Sequence, residues 1–162
     1  MTKVLIPIHG GGWGYQLGEI VKMLRDEADF CYMLEPYGKR PDQAGFPQGT
    51  YFVAPRFQNT GSGSILTSLR GALGTFLRSL AFMRRERPDV VIGLGSPASV
   101  FMLLAGRFMG CETIYIESIT RVKTPSRALK ACRMLAAAKH IFVQWQELAE
   151  VMPGTRYDGN VI

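Results

Sequence analysis

The sequence predicts an α/β fold, a doubly wound parallel sheet of Rossmann-like type. Three observations carry this. Apolar runs of four to seven residues alternate with segments whose apolar residues recur at helical spacing. The runs Lys3–Ile8 (KVLIPI) and Asp89–Leu94 (DVVIGL) are apolar almost without interruption, as strands buried on both faces are. Their exits are glycine-rich or polar, the usual place for ligand contacts in such sheets.

Taken in order, Lys3–Ile8 is the first strand. It empties into His9-Gly10-Gly11-Gly12-Trp13-Gly14 and a helix with Leu17, Ile20, Val21 and Leu24 on one face. Phe30–Leu34 is the second strand, ending at Glu35-Pro36, and a Gly/Pro-rich loop runs to Gly49. Tyr51–Ala54 is the third strand, and Pro55–Ser64 is expected to be irregular and mobile. Ile65–Arg87 is a long helical pattern carried by Leu69, Leu73, Phe76, Leu77, Leu80 and Met83, and Pro88 stops it. The fourth strand follows, then a Gly95-Ser96-Pro97 turn and a helix over 98–109. Glu112–Ile116 is the fifth strand, Ser126–Ala138 a basic amphipathic helix and His140–Val143 the sixth strand. The chain is expected to form a single domain over 1–162.

Composition excludes several function classes. An apolar fraction of 47% with mixed charge describes a globular chain rather than a disordered one. No run of about 18 apolar residues is present, so a membrane span is not expected. The N-terminus enters a strand directly, without a signal-peptide layout, which predicts a cytoplasmic protein. Cys31, Cys111 and Cys132 are scattered and read as buried thiols; no metal site is expected. The net charge of +6 is concentrated between Arg56 and Arg87, where six arginines face one acid, Glu86. The aromatics are not interleaved with the cations as base-stacking platforms require, so a nucleic-acid partner is not expected.

Two stretches carry the candidate chemistry. The strand–glycine–helix arrangement at Gly10, Gly11, Gly12 and Gly14 would aim backbone N–H groups at a phosphate. Gly12-x-Gly14-x-x-x-Gly18 is a stretched dinucleotide fingerprint, and Glu35 stands where a ribose-binding acid would fall, so an NAD(P)- or nucleotide-binding Rossmann enzyme remains an alternative. His9, at a strand exit, is the candidate base, though no carboxylate partner is visible in the sequence. The second stretch is Glu117 to Ser126. Glu117 could orient a sugar hydroxyl or pair with Arg121; Arg121 and Lys123 could hold phosphates; Thr124 or Ser126 would cap the next helix. The plainer reading of this cluster is a surface salt bridge. In the long helix, Arg70, Arg78, Arg84 and Arg85 flank an apolar face containing Phe76, a pattern that suits an anionic membrane surface. The plainer reading there is a helix packed on the sheet.

Tyr115-Ile-Glu-Ser-x-x-Arg-Val-Lys-Thr-x-Ser, then Ala138-x-x-Ile-Phe-Val-Gln-Trp-x-Glu-Leu, then Tyr157-x-Gly-Asn together resemble the Alg14 family, which includes the bacterial PssD-like polysaccharide-biosynthesis subunits. The resemblance implies the N-terminal, acceptor-side half of a split GT-B glycosyltransferase. It implies a separate Alg13-like subunit holding most of the UDP-sugar site, with a donor of UDP-GlcNAc type and no cofactor bound by this chain. It further implies a lipid-linked pyrophosphate acceptor, presented at the inner face of the membrane. Gly10 to Gly14, Arg121 and Lys123 would hold the pyrophosphate, and Trp145 and Asn160 would face the partner. The family's first loop carries a Gly-Gly-His; Trp13 stands at the His position here, which leaves His9 as the substitute. Eukaryotic members carry an N-terminal anchor, which is missing from this sequence, so membrane contact is expected to be peripheral.

Overall fold

The computed structural model describes residues 1–9, 13–36, 38–56 and 65–161, the side chains of 65–67 excepted. Six strands form one sheet: β1 (Thr2–Ile8), β2 (Ala28–Leu34), β3 (Tyr51–Val53), β4 (Val90–Leu94), β5 (Glu112–Ile116) and β6 (His140–Phe142). Their order is β3-β2-β1-β4-β5-β6, and every pairing is parallel. The strand order reverses between β1 and β4, so the exits of β1, β2, β4 and β5 converge on one edge.

The helices are α1 (Trp13–Leu24), α2 (Ile65–Glu86), α3 (Pro97–Phe108), α4 (Arg127–Met134) and α5 (Gln146–Val151). Each strand's alternate residues feed two cores, as the period of two requires. Leu5, Val91, Tyr115 and Ile141 pack with residues of α2, α3 and α4 on one face. Val4, Ile6, Ile8 and Ile92 pack with Leu17, Ile20 and Val21 of α1 on the other. Both thiols central to the first core, Cys31 and Cys132, are free and fully buried, as is the sequence expectation for them.

The expected elements are present with small changes of limit. The fourth helix ends at Met134, four residues early, because Ala136 takes a left-handed φ of 47°. Arg87 does the same at 50°, ending α2 just ahead of Pro88. The helix α5 was not expected: six residues are too few to show a helical period in sequence. Most of the segment from Pro55 to Ser64, expected to be irregular, lies outside the described residues. No helix among the described residues is long and apolar enough to cross a membrane.

Candidate functional site

The segment leaving β5 is organised by Glu117, whose side chain points inward and is wholly buried. Its Oε1 accepts the Ser118 N–H at 2.8 Å, and its Oε2 accepts the Ser126 N–H at 3.0 Å. The carboxylate thereby ties the two ends of the 118–126 loop together. The Tyr115 hydroxyl lies beside it, 3.3 Å from Ser126 Oγ, and burial and the neighbouring carboxylate hold that hydroxyl protonated far above the usual tyrosine range. Ser126, rather than Thr124, caps α4: its Oγ accepts from the Leu129 N–H at 3.0 Å. Among the described residues Glu117 makes no ion pair with Arg121. The expectation of a Glu117–Arg121 pair is therefore corrected, because the carboxylate is drawn inward by two backbone donors.

The loop is braced from behind. Gln144 is buried, donates from Nε2 to the Glu117 carbonyl at 2.8 Å and accepts the Val161 N–H at 3.1 Å. Trp145 donates its indole N–H to the Ile119 carbonyl. Its polar edge is thus spent within the chain, and it is half-buried against the core. Asn160 is exposed, one residue before Val161, which packs on the α1-side core.

So braced, the loop forms one wall of a cleft of about 310 Å³ whose other wall is Trp13 and Gln16 of α1. Arg121 and Ser118 line it. Trp13 packs against Gly95; a Cβ there would fall within 2.0 Å of the indole, so glycine is required for this approach. Gln16 is only 4% exposed, and its Oε1 has no partner among the described residues. Arg121 is exposed and free of ion pairs among the described residues, so its guanidinium is available to an anion. Lys123 also lacks a partner there, but lines an adjoining depression with Arg121 rather than the cleft itself.

His9 has the carboxylate that the sequence did not reveal. Its Nδ1 lies 3.1 Å from Glu35 Oε2, and Ser96 Oγ donates to Glu35 Oε1. The register makes this pairing: Ile8 stands opposite Leu34, so the next residues of β1 and β2 meet. His9 Nε2 is buried without a partner among the described residues. With Nδ1 engaged by Glu35, Nε2 is the ring nitrogen left for a ligand. Glu35, expected at a ribose in the dinucleotide reading, is here the partner of His9 and Ser96. Gly10, Gly11 and Gly12 lie outside the described residues; Gly14 is in the first turn of α1.

On α2 the two readings divide the helix between them. Leu69, Leu73 and Leu77 are 60%, 59% and 53% exposed. The residues turned inward at four-residue spacing are Gly71, Thr75 and Ser79, followed by Phe82 and Met83. Small side chains let α2 approach its neighbours closely, which displaces the leucines outward. Phe76 packs edge-on against Phe108 at 5.6 Å. Of the arginines, Arg78 donates to the Val53 carbonyl at 3.0 Å, and Arg85 bonds Glu86 at 2.9 Å above the Phe82 ring. Arg70 and Arg84 remain exposed without partners among the described residues.

Solved structures of similar fold include Acinetobacter baumannii MurG (TM-score 0.74, 13% identity, 99% of this chain and 45% of that one). Rickettsia bellii UDP-N-acetylglucosamine 2-epimerase is also similar (TM-score 0.70, 13% identity, 99% and 45%). So is a glycosyltransferase from Streptomyces sp. SF2575 (TM-score 0.64, 16% identity, 97% and 53%). The chain spans about half the length of these proteins, and the likeness establishes a Rossmann-like domain of GT-B type. No curated protein sequence matches the chain. A sequence profile described as "Oligosaccharide biosynthesis protein Alg14 like" matches residues 38–161, which include the braced loop, its supports Gln144 and Trp145, and the closing Gly159-Asn160. The chain belongs to the Alg14-like family of oligosaccharide biosynthesis proteins.

Proposed function

We propose that this chain is the acceptor-presenting, membrane-recruiting subunit of a two-component UDP-sugar glycosyltransferase whose acceptor is a lipid-linked pyrophosphate. The observation that carries the reading is the cleft at the sheet's carboxyl edge. It sets the unpaired Arg121 beside the unpartnered Gln16, on a loop locked by a buried carboxylate. Such a wall is rigid before the ligand arrives, which reduces the ordering cost of binding. Arg121 grips a phosphate as a fork and Lys123 adds a second positive charge alongside.

Chemistry needs a base for the acceptor hydroxyl. His9 Nε2 takes its proton as the hydroxyl oxygen bonds to the anomeric carbon and the bond from that carbon to UDP breaks. Glu35, fixed by Ser96, then stabilises the imidazolium. Glu117 acts as a positioning residue for the loop. The donor site belongs to an Alg13-like partner, and several fold neighbours are named for UDP-N-acetylglucosamine, which favours a donor of that type. The partner docks across the carboxyl edge near Asn160. There, Ile114, Ile116 and Phe142 are only partly covered, since α1 shields the β1–β2 half of that face. The exposed Leu69, Leu73 and Leu77, with Arg70 and Arg84, form the surface that meets anionic lipid at the cytoplasmic face of the membrane.

In the assembled pair, Arg121→Ala is expected to lower kcat/KM for the acceptor about 10- to 100-fold, the loss of a charged hydrogen bond. The thermal midpoint should be unchanged. Wild-type transfer by the variant would remove Arg121 from the site. Efficient transfer from UDP-GlcNAc by this chain alone would overturn the two-component reading.

A further inference from the structure

We propose that the groove between α1 and residues 38–46 holds the reactive sugar of the acceptor, the one whose hydroxyl faces His9, and that this sugar is acidic, an inference that rests on the acceptor-presenting reading above. The groove encloses about 620 Å³, against about 310 Å³ for the cleft beside Arg121, and lies on the opposite side of the α1 first turn. One wall is α1, where two glycines leave open space: a Cβ at Gly14 or Gly18 would meet nothing within 4 Å.

The mark of a ligand is His9, which lines this groove with its side chain 4% exposed and its Nε2 unpartnered among the described residues. A buried ring nitrogen without a partner calls for one. A hydrocarbon chain offers none; a sugar hydroxyl, donor and acceptor at once, serves the nitrogen in either role. The rim adds a second requirement. Lys22 is matched by Glu19 at 2.7 Å, but Arg25 and Lys39 are exposed and have no partner among the described residues. Two unmatched positive charges at the mouth select an anionic substituent. Phe46 closes the far side with an aromatic surface for the C–H face of a pyranose ring. A hydroxyl donor, a negative charge and an apolar ring face coincide in a uronic acid or a sugar phosphate.

The test is titration of the isotope-labelled whole chain, followed by amide shifts. The probes are a glucuronate-containing tetrasaccharide, N-acetylglucosamine 1-phosphate, a neutral N-acetylglucosamine tetrasaccharide and inorganic phosphate. At least one acidic sugar is expected to move the Gly14, Gly18 and Gly45 amides and to bind about five- to tenfold tighter than the neutral one. The tighter of the two acidic probes identifies the anionic group, and inorganic phosphate should leave Gly18 unmoved. Gly18→Phe should abolish these shifts. Because that change could disturb α1, Arg25→Glu with Lys39→Glu, both on the exposed rim, should bring the acidic probe down to the affinity of the neutral one. Equal affinity for neutral and acidic probes, unmoved groove amides, or full affinity in the doubly substituted rim would each overturn the subsite. If Arg121→Ala abolishes transfer while the groove amides never move, the subsite falls and the acceptor reading stands. Groove shifts without any transfer by the assembled pair leave an acidic-sugar site and overturn the transferase reading.

Discussion

At the scale of single residues, the chain uses buried polar groups to set its site, and each does a different job. Glu117 is a structural residue: two backbone N–H groups converge on its side chain, and no solvent reaches it. Replacement by Gln keeps the volume but turns one amide nitrogen toward a backbone donor. Glu117→Gln should therefore cost about 2–3 kcal/mol of unfolding free energy, the scale of a lost charge-assisted hydrogen bond with a donor left unsatisfied. Urea unfolding measures this, and a change below about 0.5 kcal/mol would mean that the loop does not depend on the carboxylate. That Glu117 matters was legible from its place at a strand exit. Its inward direction follows from the alternation that also buries Thr113 and Tyr115, but a carboxylate at a strand exit reads more readily as solvated than as buried. The His9–Glu35 pair was legible in principle: both residues follow the last apolar position of neighbouring parallel strands, and in-register pairing brings them together. Gln16 left no signal, since a glutamine in the first turn of a helix is ordinarily a solvated residue.

At the scale of elements, α2 separates what patterning tells from what it leaves open. Its length and its stop at Pro88 were readable. Its packed face was not, because leucines and small residues form two competing stripes around one helix. Packing chose the stripe of Gly71, Thr75 and Ser79, although the Thr75 and Ser79 hydroxyls are buried without partners among the described residues. Close helix approach is the compensating gain. The displaced leucines make a surface that can be tested without disturbing the core. Leu73→Glu with Leu77→Glu should leave the thermal midpoint within about 2 °C of wild type, as exposed substitutions do. The same pair should cut co-sedimentation with anionic phosphatidylglycerol vesicles about tenfold or more, since it removes two apolar side chains and adds two like charges to the lipid. Equal sedimentation of variant and wild type would take the membrane surface away from α2.

At the scale of the whole molecule, the parallel sheet wound on both faces by helices was the most legible feature, since uninterrupted apolar strands admit few arrangements. The partition of the cores was less so, and it decides how the protein responds to alkali. Cys31 on β2 and Cys132 on α4 belong to the same core, and burial pushes both thiols up to about 12 from an ordinary value of 9.0. Lys3 pulls the Cys31 thiol back slightly, and a backbone hydrogen bond at Ala138 does so for Cys132. Between pH 9 and 12 the unfolded chain has released these protons while the folded chain retains them. The folded state therefore binds more protons, and stability falls as pH rises through that window; below pH 9 the thiols contribute no slope. Each thiol adds a slope of about 1.4 kcal/mol per pH unit once its unfolded form is fully ionised. Urea unfolding in reducing buffer from pH 8 to 11 should show a plateau and then this decline. Cys132→Ala should lower the plateau by creating a small cavity, yet make the decline shallower by about that one increment. A variant with an unchanged alkaline slope would show that Cys132 ionises as readily in the folded chain as in the unfolded one, and that the core is open to water at α4.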